Sequence, residues 1–198
     1  MDDAHRLISA CFSSLADAQA LLLVEPDLLS TRTELGETPL HYLAVEDQMS
    51  AVEWLIARGA PVNVVNAVGT TPLADAASLG YVGMVELLLQ HGAQVNAQGE
   101  REPTLHSAVR SGVPEIVNKI LAAGADIDEV SEHRDTALHI AAESDDMVEV
   151  LRALVSAGAN IHARRLFDET PLDVAIRGGS VKAVALLESL GPLASQIQ

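Results

Sequence analysis

The chain has 198 residues, 48% of them apolar but only 3% aromatic, so its core must come from Leu, Val, Ile and Ala packed at short range. Its 28 acids against 12 Lys and Arg give a formal charge of −16. That charge disfavours nucleic acid and anionic lipid surfaces, which are bound through cations that displace counterions.

Cys11 is the single cysteine, so no disulfide forms within the chain, as suits a reducing compartment. The opening Met1-Asp2-Asp3 lacks the cationic start and apolar run of a secretory leader. The apolar runs at 21–24 and 87–89 are far too short to cross a bilayer. A cytoplasmic monomer without membrane attachment is expected.

Residues 5–29 hold two apolar-faced stretches and end in Pro26-Asp27-Leu28-Leu29. From there the chain copies itself. Thr38-Pro39-Leu40-His41 returns as Thr71-Pro72-Leu73-Ala74, Pro103-Thr104-Leu105-His106, Thr136-Ala137-Leu138-His139 and Thr170-Pro171-Leu172-Asp173. The leucines at 40, 73, 105, 138 and 172 step by 33, 32, 33 and 34 residues. A second landmark keeps the same step: Gly59-Ala60, Gly92-Ala93, Gly124-Ala125, Gly158-Ala159 and Gly191-Pro192. Two landmarks sharing one period mark a repeat array.

Thr38, Thr71, Thr136 and Thr170 sit where a helix N-cap needs a hydroxyl for an orphan amide. The proline that follows three of them takes the first helical position, where a missing N–H costs nothing. The glycine closes a second helix, because it accepts positive φ without a Cβ clash. In the third copy the spacing predicts helices over 72–78 and 82–90, with Gly80 in the turn between them. Val85, Leu88 and Leu89 there share one helical face. Each copy then passes through an apolar–polar pair (Val62-Asn63, Val95-Asn96, Ile127-Asp128, Ile161-His162) into an extended turn.

These residues resemble the ankyrin-repeat pattern, Gly-x-Thr-Pro-Leu-His-x-Ala-Ala, then Leu-Leu, then Gly-Ala-x-Val-Asn, across residues 36–191. The resemblance implies an all-α solenoid of stacked helix–turn–helix units joined by β-hairpin-like turns. It is read as a single domain, 1–198, with repeats near 1–35 (an N-terminal cap), 36–68, 69–101, 102–134, 135–168 and 169–198 (a C-terminal cap). No unit hides its apolar face alone, so neighbours stabilise one another. Three departures stand out. Pro103 occupies a cap slot, Ala74 and Asp173 replace the motif histidine, and the fifth repeat has one extra residue, placed at Ser144-Asp145-Asp146.

No catalytic constellation emerges, and no cofactor is expected. His41, His106 and His139 read as motif histidines satisfied by cap hydroxyls and backbone. The competing reading, a metal site beside Glu46 and Glu143, fails on distance. Equivalent positions in a solenoid lie about 10 Å apart, whereas zinc needs ligands at about 2 Å. His5, His91 and His133 show no partner. Cys11 reads as a small buried apolar residue, and the acid pairs 2–3, 145–146 and 168–169 as solvated surface. Asn63 and Asn96 match a turn asparagine, read here as bonding local backbone. The sequence leaves open whether either is modified.

The resemblance implies a protein partner docked on the hairpin tips and inner helices. The positions carried over are Glu34, Leu35, Glu37, Tyr42, Glu46, Val68, Leu79, Arg101, Arg110, Glu132, His133, Glu143, Leu166, Phe167 and Arg177. Leu35, Val68, Leu166 and Phe167 put apolar groups where water should reach. Leu166 and Phe167 either form a binding face or fold back onto the last repeat. A non-enzymatic adaptor or inhibitor of a basic, partly apolar protein is expected. A bacterial immunity or antitoxin-type inhibitor of a toxin is the alternative, and an enzyme with an unrecognised metal site a further one. With its cap threonine replaced by Pro103, the fourth repeat loses an interaction of about 0.5–2 kcal/mol. Hydrogen exchange should find residues 102–134 less protected than the repeats on either side.

Overall fold

The computed structural model describes residues 3–190. Among them are twelve α-helices, three short 3-10 segments and no strand. The chain divides into two compact units, Met1–Arg101 and Glu102–Gln198. The first holds α1 (Asp3–Ser13), α2 (Leu15–Val24), α3 (Pro39–Val45), α4 (Met49–Ile56), α5 (Pro72–Ser78) and α6 (Val82–Gln90). The second holds α7 (Thr104–Arg110), α8 (Pro114–Ala122), α9 (Ala137–Ala141), α10 (Val148–Ser156), α11 (Pro171–Gly178) and α12 (Val181–Leu190). The helices predicted at 72–78 and 82–90 are α5 and α6, residue for residue. Gly191-Pro192, the last repeat landmark, lies outside the described residues.

Within the first unit α1 packs on α2 and α3, and α3 on α4 and α5, while α6 rests on α4 and α5. Within the second, α9 packs between α7 and α11, and α10 between α8 and α12. This is serial stacking of helix pairs inside each unit. Inner helices bury alanines: Ala44, Ala76 and Ala77 in the first unit, Ala108, Ala141 and Ala175 in the second. Such short side chains let neighbouring helices approach closely, and large rings would hold them apart. Outer helices bury a branched stripe, such as Ala51, Val52 and Leu55 on α4, and turn Glu53 to water. Gly59 closes the end of that helix at φ 91, where its amide meets Ile56 O at 2.9 Å and Ala60 N meets Leu55 O at 3.1 Å. Nothing lies within 4 Å of the Cβ it lacks, so the left-handed backbone, not crowding, selects glycine.

The inner helices begin with a capped staple. Thr38 Oγ1 accepts from His41 N, and His41 Nδ1 accepts from Thr38 N at 3.2 Å and pairs with its hydroxyl at 2.9 Å. At the other end of the ring Nε2 lies 3.3 Å from Thr70 O. A carbonyl can only accept, so Nε2 carries the proton and the buried ring is neutral. His139 repeats this, with Thr136 on Nδ1 and Glu169 O at 3.1 Å from Nε2. One imidazole thus closes its own helix and holds the next turn.

Several departures find a substitute. Asp173 replaces the histidine as a cap, Oδ2 accepting from Thr170 N at 2.8 Å and Thr170 Oγ1 at 2.6 Å. Opposite Ala74, Thr71 donates instead to Glu100 Oε1 at 2.7 Å, a carboxylate from the following turn. The extra residue of the fifth repeat forms a 3-10 turn, Asp145–Met147, capped by Ser144. Asp145 is not simply solvated, because its Oδ1 accepts from Lys182 N at 2.8 Å and so caps α12.

Three further expectations need correction. The bonds of Asn63 are not local: Nδ2 reaches Gly92 O at 3.0 Å and Oδ1 takes Gln94 N at 2.8 Å, one repeat onward. His106 is only half satisfied. Its Nε2 meets Glu129 O at 3.1 Å, but Pro103 has no N–H, and the buried Nδ1 has no hydrogen-bond partner. His5 also has a neighbour, packing edge-on against Tyr42 with ring centroids 6.1 Å apart.

Burial pushes His41 down to about 4, against the pull of its bond to Thr70. An unfolded imidazole takes a proton near 6.5. The folded state therefore binds fewer protons between those values. The stability tied to the neutral ring is full above about pH 6.5 and drains as pH falls toward about 4. Urea midpoints measured from pH 7.5 to 4 should drop, and His41→Gln should flatten that slope.

Candidate functional site

Four of the five tips joining successive repeats, all but the shorter one at 97–101, share a turn of five residues. Its first amide bonds the fifth carbonyl, and its fourth amide bonds the first carbonyl. In the first unit these are Thr33 N to Glu37 O and Gly36 N to Thr33 O, each 2.9 Å. The next copy uses Asn66, Gly69 and Thr70 in the same way. In the second unit Ser131 N meets Asp135 O at 2.9 Å, and Arg165 N meets Glu169 O at 3.1 Å. The fourth residue is always left-handed: Gly36 at φ 72, Gly69 at 87, Arg134 at 62 and Asp168 at 62.

Glycine is required twice over at the first two. A Cβ on Gly36 would meet Ala67 N at 2.8 Å, and one on Gly69 would meet Arg101 Cβ at 2.7 Å. These contacts exist because Ala67 N bonds Leu35 O and Arg101 N bonds Gly69 O, each at 2.9 Å, linking tip to tip. The second unit links its tips by charge instead. Arg165 Nη1 lies 2.7 Å from Asp135 Oδ1, and its Nε and Nη2 lie 3.0 and 2.9 Å from Glu169 Oε2. Arg177 Nε adds a contact to Glu169 Oε1 at 3.2 Å.

On this braced turn stands Phe167, itself left-handed at φ 64 and 94% exposed. Leu166 beside it is 45% exposed, so this pair does not fold back onto the last repeat. Two consecutive non-glycine residues at positive φ cost on the order of 1–3 kcal/mol each. The ring is held out in water by a rigid base instead of being buried.

A cleft of ≈ 320 Å³ opens beside it, lined by His133, Asp135, Arg165, Leu166, Phe167, Glu169 and Arg177. A second, of ≈ 240 Å³, is lined by Glu143, Val174, Arg177 and Gly178. Arg177 belongs to both. Five of the residues singled out in the sequence (His133, Glu143, Leu166, Phe167 and Arg177) therefore gather here. Glu132 is exposed on the neighbouring tip, and Arg110 is held by Glu102 at 2.8 Å.

In the first unit Glu34, Leu35, Val68 and Arg101 are exposed at the tips, as are Glu46 and Leu79 at the ends of the inner helices. Glu37 and Tyr42 are half-buried. Arg165 escaped the sequence reading. The one local signal was Glu169 four residues on, and nothing in the sequence ties the arginine to Asp135, thirty residues earlier. The acid pair 168–169 is also more than solvated surface, since Asp168 pairs with Arg164 at 2.6 Å and Glu169 with both arginines. Among the described residues no group of three or more His, Cys, Asp and Glu side chains could hold a metal ion. No helix of the described residues is long and apolar enough to cross a membrane.

Serially stacked helix pairs with projecting tips define a repeat scaffold that offers a surface for binding. The family profile for ankyrin repeats (3 copies) matches residues 7–99 and 105–193. The chain belongs to the ankyrin-repeat family, whose repeats are protein–protein interaction modules. Similar proteins include the nuclear factor NF-kappa-B p105 subunit of Gallus gallus, 29% identical over 86% of this chain. The B-cell lymphoma 3 protein homolog of Mus musculus is 35% identical over 79% of it. Ankyrin repeat protein nuc-2 of Neurospora crassa is 33% identical over 71%. The matches span 18%, 34% and 13% of those proteins' own lengths.

Because the Phe167 ring buries little and its backbone is strained, Phe167→Gly should stabilise the chain by about 1 kcal/mol. Thermal unfolding of the two forms checks this, and the gain would locate a position kept for something other than stability.

Proposed function

We propose that the chain is a non-catalytic adaptor or inhibitor that grips a protein partner through the repeat-five tip and its clefts. The observation that carries this is a fully presented aromatic ring on a strained turn braced by four ion pairs. Aromatic side chains lose little freedom on docking and supply much of the energy at interface centres. Arg165 and Arg177 are already neutralised by Asp135 and Glu169, so the ring docks without stranding a charge.

The charge of −16 favours a partner with a basic, partly apolar surface. Glu34 and Glu37 in the first unit, and Glu132 and Glu143 in the second, would mainly speed encounter, while the apolar groups hold the complex. A cytoplasmic monomer fits the single thiol, which burial pushes up to about 11 and so leaves unreactive.

Affinity capture with the full chain from its native cell, followed by titration of the captured protein, tests the reading. Phe167→Ala with Leu166→Ala should weaken binding tenfold or more. Charge reversal at Glu34, Glu37, Glu132 and Glu143 should slow association and flatten its salt dependence. Unchanged affinity in the first variant would refute the tip as the contact.

A further inference from the structure

The first helix pair carries an apolar surface that its own fold does not use. Helix α2 reads Leu-Ala-Asp-Ala-Gln-Ala-Leu-Leu-Leu-Val, apolar around nearly its whole circumference. A helix of that kind in a globular protein is normally covered on every side. Here only Ala18 and Leu22 are buried. Ala16, Ala20, Leu23 and Val24 face water, and the last two are 75% and 77% exposed. At 100° per residue these four fall within an arc of about 100°, over roughly 13 Å of helix.

The other outer helices of this unit differ. α4 turns Ser50 and Glu53 outward, and α6 turns out Glu86 and Gln90. On α2 the corresponding face is built from alanine, leucine and valine alone. Its rim is acidic. Asp17 lies at the edge of the stripe next to Ala20, two turns before Val24, and Asp27 follows Val24 by three residues, both exposed. Neither forms an ion pair among the described residues. The cations of this unit nearest in the fold are engaged elsewhere. Arg6 bonds Glu25 and Asp3. Arg58 bonds Gln19 Oε1 at 3.0 and 2.7 Å and stacks 3.7 Å over Trp54.

We propose that the outward face of α2 docks a cationic amphipathic helix supplied by a partner protein. Two to three turns of such a helix match the length of the stripe. Ala16 and Ala20 let its backbone approach, while Leu23 and Val24 fill the gaps between its apolar side chains. Basic residues flanking those side chains meet Asp17 and Asp27. A second copy of this chain fits less well, because it would gather four carboxylates around one patch and bring together two chains of charge −16 each. The surface shares no residue with the tip of repeat five, so either can fail alone.

The test uses two synthetic 18-residue helices with one leucine stripe, flanked by lysines in one and by glutamates in the other. The lysine helix should bind the full chain at least tenfold more tightly and shift backbone amide resonances between residues 15 and 27. Leu23→Ser with Val24→Ser should weaken it tenfold or more without altering net charge. Ala20→Gln, which blocks close approach, should do the same. Phe167→Ala should leave it within twofold. The assignment is overturned if the serine variant binds as well as the parent, or if the shifts fall outside α2. It is equally overturned if sedimentation shows a dimer that the serine variant abolishes, or if the chain takes up neutral phosphatidylcholine vesicles through this face in place of the peptide.

Discussion

A neutral imidazole buried at the start of an inner helix ties this protein together. In His41 one nitrogen accepts from the cap threonine and the other donates to Thr70 O in the next turn. Both jobs need the same uncharged tautomer. The ring must also be dry, because water at either nitrogen would compete for the bond. The cap, the placement of the next tip and the dryness of the seam are therefore one interaction. Within each unit, the geometry of the tips follows from it.

The chain shows how far this staple tolerates replacement. Asp173 caps its helix with a carboxylate and needs no ring, and it stands in the last repeat described. Glu100 reaches back from a tip to Thr71, making the same link from the opposite direction. His106 alone among the three motif rings keeps an unfilled nitrogen, because proline has no amide to offer it. Glu102 Oε1 lies 3.7 Å away, beyond hydrogen-bond reach, and is itself held by Arg110. A buried group missing one bond costs about 1–3 kcal/mol, which concentrates weakness in that repeat.

Two surfaces leave apolar groups in contact with water, and they do so differently. At the repeat-five tip the backbone is bent into a conformation that side chains avoid, and ion pairs to Arg165 secure it. The exposure of Phe167 is thus mechanical, a ring held by a rigid base. On α2 the backbone is ordinary and the exposure is compositional, since the helix has too few polar residues to give it a wet side. The first is suited to inserting into a pocket, the second to lying along another helix.

Periodic features were legible in the chain itself. Caps, glycine stops and apolar spacing act within a few residues, so they located α5 and α6 to the residue and placed the extra turn at Ser144-Asp145-Asp146. The staple could be read as a motif at His41 and His139, but at His106 only in half, because Pro103 has no amide to offer the ring. Contacts spanning one repeat were not legible. Asn63 bonds Gly92 and Gln94, Asp145 caps α12, and Arg165 clasps Asp135 thirty residues earlier. The direction of each side chain there depends on a neighbour placed by stacking, and no local pattern records that. Exposure of Phe167 and of the α2 stripe was likewise a tertiary decision. An apolar residue reads the same in sequence whether packing covers it or stops short, and only the folded neighbours determine which.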